Sequence, residues 1–160
     1  MNQTKRKLVY WLPVILWMLL IFFLSSQPAS ESNNLSTGVT ELIIKSIGKL
    51  FPLDIETSTI INTVSKLNHY VRKSAHFISY LILGVLVLNA FIKCKIEKKK
   101  AIIYSIIICV FYSISDEVHQ LFVPGRGGQL KDVVIDSCGT LVGIIIYSLI
   151  NYNVLSHNSK

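Results

Sequence analysis

Apolar positions along the chain gather into four blocks, at residues 8–24, 74–92, 101–115 and 133–150, that carry very few charges. A soluble bundle helix keeps one polar face, whereas these blocks are apolar on nearly all faces. A helix rising 1.5 Å per residue needs about 20 residues to cross a hydrocarbon core of roughly 30 Å. The first and third blocks fall somewhat short, so their helices are expected to run past the apolar limits. The pattern predicts an all-α fold: a four-helix transmembrane bundle with an extracellular loop carrying an amphipathic helix. With 160 residues, the chain suits one domain, residues 1–160. The first block, "LVYWLPVILWMLLIFFL", exceeds a signal-peptide core of about 7–15 residues. No clear Ala-x-Ala site follows it, and it is taken as a retained helix.

Between the first two blocks, residues 25–73 read as an outer loop. "SSQPASESNNLSTG" has the Ser, Asn, Pro and Gly content of a turn-rich connection. In "VTELIIKSIGKLF", Ile43, Ile47 and Leu50 form one stripe while Glu41, Lys45 and Lys49 fall elsewhere, predicting an amphipathic helix that stops before Pro52. It is expected to lie on the membrane surface or cap the bundle. From Glu56 to Ile92 there is no proline, and Ile60, Val64, Leu67 and Val71 repeat at helical spacing. Both one long helix entering the membrane and a break near Asn68–His69 fit that stretch.

Composition adds little beyond the 51% hydrophobic content, but charge placement adds a topology. A net charge of +7 is compatible with nucleic-acid binding, yet Lys5, Arg6 and Lys7 precede the first block and "KCKIEKKK" joins the second and third. Short basic segments collect on the cytoplasmic side, which predicts a multi-pass protein of the bacterial cytoplasmic membrane, N-in and C-in. Lys45, Lys49, Lys66, Arg72 and Lys73 in the outer loop weaken the bias. No nucleic-acid partner is expected, and the oligomeric state is open. Cys94, Cys109 and Cys138 form no Cys-x-x-Cys pair and support neither a disulfide framework nor a thiolate metal site.

The chemistry is concentrated where the blocks meet polar sequence. Between "AIIYSIIICVFYSI" and "TLVGIIIYSLI", the chain packs Asp116, Glu117, Arg126, Lys131, Asp132 and Asp136 into a short space. On a helix, Lys73, His76, Tyr80 and Gly84 share one face, as do Asp132, Asp136, Gly139 and Gly143. Gly139-x-x-x-Gly143 permits close packing of another helix. Asp116 and Gln120 lie one turn apart, as do Ser113 and Glu117. "VPGRGGQ" is a tight turn around Arg126 and lacks the spacing of a phosphate-binding P-loop.

Ordinary structural roles exist for each residue: snorkelling for Lys73, an interfacial ring for Tyr80, and a locking ion pair of Asp136 with Arg126 or Lys73. An ionisable group about one turn inside an apolar run is nevertheless a functional candidate. Short connections bring the polar helix ends to one side, so the charge is expected to build one pocket at the outer leaflet. His76, Glu117 and Asp136 are the candidate acid–base groups. Lys73, Tyr80, Asp116, Gln120, Arg126 and Asp132 are the candidate ligand contacts. His119, Asp116 and Asp132 offer donors that could join a divalent-metal site, but no His-Glu-x-x-His or comparable spacing is present and no metal ligand is assigned.

"KSAHFISYLILG", "DEVHQLFVPGRGGQLKDVVIDSCGTLVG" and the early "FFLSSQP" resemble the VanZ-like family of small bacterial membrane proteins. The family pattern falls on Lys73, His76, Phe77 and Tyr80, on Glu117 and Gln120, on Pro124, Gly125 and Arg126, and on Asp132, Asp136 and Gly139. The resemblance covers nearly the whole chain, the long outer loop excepted. It implies a cell-envelope role associated with resistance to the glycopeptide teicoplanin, and supplies no reaction. Three readings follow. One is a pocket for a membrane-lipid headgroup or lipid-linked ligand with Lys73 and Arg126 as cationic clamps, the next a membrane enzyme acting on a lipid-linked envelope substrate, the last polar residues that only hold helices together.

Overall fold

The structure, a computed structural model, describes residues 3–50 and 57–151. Among them are five helices and no strand: α1 (Gln3–Ser25), α2 (Ala29–Leu50), α3 (Thr57–Lys93), α4 (Lys98–Gln120) and α5 (Leu130–Ile150). Four segments are long and apolar enough to cross a membrane, at Arg6–Ser25, Leu67–Lys93, Lys98–Gln120 and Leu130–Ile150. The chain is thus an all-α, multi-pass membrane protein. The helices of the first and third apolar blocks, α1 and α4, overrun those blocks into polar residues at both ends.

The distribution of side chains is the reverse of a soluble bundle. Leu16, Phe23, Ile107, Phe111, Ile145 and Leu149 are exposed, while Ser105, Ser113, Asp116, Gln120, Asp136 and Thr140 are buried. Lipid accepts the first set, and the second must find partners inside.

Helix α3 is the hub, contacting each of the other four, and its most extensive interface is with α5. Glycine makes that interface close. A Cβ at Gly84 would lie 2.7 Å from the Thr140 carbonyl oxygen. Cβ atoms at Gly139 and Gly143 would collide with the Phe77 and Leu81 carbonyls. The other side of α3 packs Tyr80, Leu83 and Val87 against Val14, Ile21 and Cys109. Trp17 ties α1 to α3 by donating from Nε1 to the Ser79 carbonyl at 2.9 Å.

Two details of residues 25–73 differ from expectation or resolve it. Residues 29–38 are helical, not a turn-rich connection; only residues 26–28 form the turn. The Ser36 hydroxyl, which made this stretch look loop-like, bonds within the helix to the Ser32 carbonyl at 2.6 Å, and Thr40 just beyond it bonds back to the Ser36 carbonyl at 2.8 Å. Tertiary contacts complete the override of local preference. The Ala29 N–H donates to the Pro124 carbonyl at 3.2 Å, and Asn68 donates to Thr37 at 3.2 Å. Helix α3 runs without a break through Asn68–His69. The amphipathic stripe of Ile43, Ile47 and Leu50 with Glu41, Lys45 and Lys49, the stop before Pro52, and Ile60 and Val64 lie outside the described residues or side chains.

The three cysteines are free. Substituting Gly143 by Leu is expected to force α3 and α5 apart and lower stability by about 2 kcal/mol. Gly127→Ala, where a Cβ meets nothing within 4 Å, should leave stability nearly unchanged. Thermal unfolding of the two variants in detergent makes the comparison, and equal midpoints would contradict close packing at Gly143.

Candidate functional site

The glycine contacts set the register of α3 on α5, and that register brings their polar ends together. Reading inward, Lys73 pairs with Asp132, and His76 Nδ1 stands 3.4 Å from Asp136 Oδ1. The Thr140 hydroxyl then approaches the Tyr80 carbonyl at 3.5 Å. Below these rungs, the backbones close up at Gly84 and Gly143. The two helical faces read from the sequence are therefore opposed at Lys73, His76 and Gly84, whereas Tyr80 offers α5 only its carbonyl and packs its ring toward α1 and α4. Asp136 pairs with neither Arg126 nor Lys73, so the locking ion pair suggested by the sequence is replaced by two different pairs.

Helix α4 closes the third side. Ser113 donates to Asp136 Oδ2 at 2.8 Å. Glu117 Oε2 accepts from the Gln129 backbone N–H at 2.7 Å, so this carboxylate anchors the residue just before α5. Gln120 Nε2 donates to Ser25 Oγ at 2.9 Å and to Asp116 Oδ2 at 3.3 Å, linking α1 to the cluster.

The turn leading into α5 owes its path to two of its three glycines. Gly125 adopts φ +74°, a left-handed conformation that other residues avoid. Gly128 lies so close to α4 that a Cβ would sit 2.7 Å from the Glu117 carbonyl oxygen. Arg126 is thereby held against the bundle, where its Nη2 reaches the Leu24 carbonyl at 3.4 Å and its Nε is buried without a partner. Burial first, and then the neighbouring charge of Arg72, push the Arg126 pKa down from its ordinary value; Asp116 and Glu117 oppose that shift. Arginine keeps its charge at neutral pH regardless.

A cavity of about 350 Å³ opens between α1, α2, α3 and α4. Ile21, Leu24, Leu35, Val39 and Val71 make its apolar wall, while Arg72, Arg126, His76, Tyr80 and Asp116 supply polar and charged atoms.

Of the sequence candidates, His76, Asp116, Glu117, Gln120, Asp132 and Asp136 converge with Lys73, and Tyr80 and Arg126 border the same cavity. Tyr80 is only 1% exposed. One ligand atom from each of His76, Glu117 and Asp136 lies within 4.8 Å of the others, the separation of groups that can share a metal ion. His119 takes no part in that group; its ring stacks on Phe22 with centroids 4.5 Å apart. Asp132 is occupied by Lys73.

Three contributors escaped the sequence reading: Ser25, Ser113 and Arg72. Ser25 stands in "FFLSSQP", a motif that carried no role. In the sequence, Ser113 stands out only for its spacing from Glu117. Arg72 reads from the sequence as a loop charge, and only the position of α2 shows that it lines a cavity.

These features define a multi-pass α-helical membrane protein with a buried polar cluster and an adjoining pocket at one end of its bundle. Comparison with protein families matches residues 10–151 to the VanZ/LLP1 family, and the chain belongs to that family. No curated protein matches the chain, and no solved structure does.

Replacing Lys73 by Ala leaves Asp132, which is 5% exposed, buried without a cation. The expected loss is about 2 kcal/mol, less than for a fully buried pair because the Lys73 side chain keeps 24% exposure. Adding Asp132→Ala should restore part of that loss in unfolding measurements on detergent-solubilised protein. Additive losses would mean that the two groups are not coupled.

Proposed function

We propose that this VanZ-family protein acts in the bacterial cell envelope by binding an anionic lipid headgroup or a lipid-linked ligand. On this reading it contributes to low-level resistance to teicoplanin-type glycopeptides. The polar end of the bundle faces outward, with both chain ends in the cytoplasm.

The observation that carries the reading is the cavity in which an apolar wall meets two guanidinium groups. An amphiphile needs both parts: hydrocarbon to cover Leu24, Leu35 and Val39, and an anion to answer Arg72 and Arg126. Arginine suits phosphate or carboxylate because its planar fork can donate two parallel hydrogen bonds. Arg126 retains a buried Nε–H with no protein acceptor, a donor available to such a group.

The test has two arms. Arg72→Ala/Arg126→Ala protein in nanodiscs should bind phosphatidylglycerol at least tenfold more weakly than the parent chain. Phosphatidylcholine, which has no net charge, should discriminate little between them. In cells making equal amounts of protein, Arg126→Ala should restore teicoplanin susceptibility. Undiminished lipid binding together with undiminished resistance would end this reading; effects that merely track lost thermal stability would favour a structural role.

A second reading, a membrane enzyme acting on a lipid-linked envelope substrate, draws support from the proximity of His76, Glu117 and Asp136. An imidazole and two carboxylates can divide proton donation and acceptance between them. If this reading holds, purified protein supplied with envelope lipids forms product, and Glu117→Gln abolishes turnover by about a hundredfold or more. Absence of product with the parent protein would count against it.

A further inference from the structure

Four carboxylates are buried at the polar end of the bundle, Asp116, Glu117, Asp132 and Asp136, each 5% exposed or less. Among the described residues, Asp132 alone of the four has a lysine or arginine within salt-bridge distance. Burying ionised carboxylates without a cation is costly. The hydrogen bonds present do not absorb the acceptors. Asp116 Oδ1, Glu117 Oε1, Gln120 Oε1 and Asp136 Oδ1 are all buried without a hydrogen-bond donor.

We infer that His76, Glu117 and Asp136 form a binding site for one first-row divalent metal ion, of the Mn²⁺ or Zn²⁺ type. Three observations carry the assignment. The ligand atoms already lie within 4.8 Å of one another, although they come from three separate helices. Ligands about 2.0–2.2 Å from a tetrahedral ion stand roughly 3.4 Å apart, so small side-chain rotations suffice to close the set. Two of the three ligands are carboxylates with a buried oxygen that accepts no hydrogen bond, and the Asp136 oxygen of this kind already faces His76 Nδ1 at 3.4 Å.

The donor types narrow the ion. A nitrogen donor beside two carboxylates favours Mn²⁺ or Zn²⁺ over Mg²⁺ and Ca²⁺, which prefer oxygen alone. Surrounding contacts orient the ligands, as outer partners do at metal sites. Ser113 holds the second oxygen of Asp136, and the Gln129 N–H holds the second oxygen of Glu117. Each carboxylate therefore keeps one oxygen for the ion. Three protein ligands leave a tetrahedral ion one open position. Because His76 also lines the cavity, that position is near the space assigned to an anionic group. The site does not depend on a lipid occupying that cavity.

The test uses the full, untagged chain in detergent, stripped with a chelator and then titrated separately with MnCl₂, ZnCl₂, MgCl₂ and CaCl₂. Calorimetry and metal analysis should find one Mn²⁺ or Zn²⁺ per chain, bound at least tenfold more tightly than Mg²⁺ or Ca²⁺. Glu117→Gln and Asp136→Asn should each weaken binding at least tenfold, while His119→Asn should leave it unchanged. The parent protein also gives a readout that needs no variant to fold: pulsed paramagnetic resonance of bound Mn²⁺ should show coupling to an imidazole nitrogen. No saturable binding, no nitrogen coupling, preference for Ca²⁺ or Mg²⁺, or full binding by folded Glu117→Gln and Asp136→Asn would overturn the assignment.

Discussion

The close approach of α3 to α5 is the constraint on which the rest depends. Gly84, Gly139 and Gly143 remove the atoms that would hold the two backbones apart. In a bilayer, where apolar side chains gain little by leaving lipid, such contact and the hydrogen bonds it permits supply much of the association. The same contact fixes the register one turn at a time. Once Gly139 and Gly143 lie against the Phe77 and Leu81 carbonyls, His76 meets Asp136 and Lys73 meets Asp132. A slip of one turn would break both pairs at once.

Around this pair the other elements have distinct tasks. Helix α4 brings Ser113, Asp116, Glu117 and Gln120 against the open side, and the Glu117 carboxylate returns the contact by holding the start of α5. Helix α1 supplies Ser25 to Gln120. Helix α2, tethered through Ala29 to the Pro124 carbonyl, covers what would otherwise be an open groove and so turns it into a cavity. The charge is thus partitioned. Lys73 neutralises one carboxylate directly, while Arg72 and Arg126 face the cavity and leave the inner carboxylates to other partners.

The membrane helices and the faces that meet were legible in the chain because both follow from periodicity. Lys73, His76 and Tyr80 had to share a side of α3, just as Asp132, Asp136 and Gly139 had to share a side of α5, whichever partner each met. Partner choice was less legible. Asp136 seemed a match for Arg126 on charge alone, yet Arg126 is carried away toward Leu24 by a turn whose path depends on Gly125 and Gly128. Residues 29–38 looked like loop because Ser, Asn and Gly favour turns locally. Hydroxyls bonding back along the helix and contacts to α3 outweighed that preference.

By itself the sequence determined the number of apolar crossings, the faces that carry charge, the glycine stripe and the family, since each depends on order along one segment. Only the tertiary structure decided that His76, Glu117 and Asp136 form one group, that His119 stands apart on Phe22, and that Arg72 joins Arg126 beside a cavity. These are relations between helices far apart in the chain. They depend on packing distances and helix rotations that no single segment encodes.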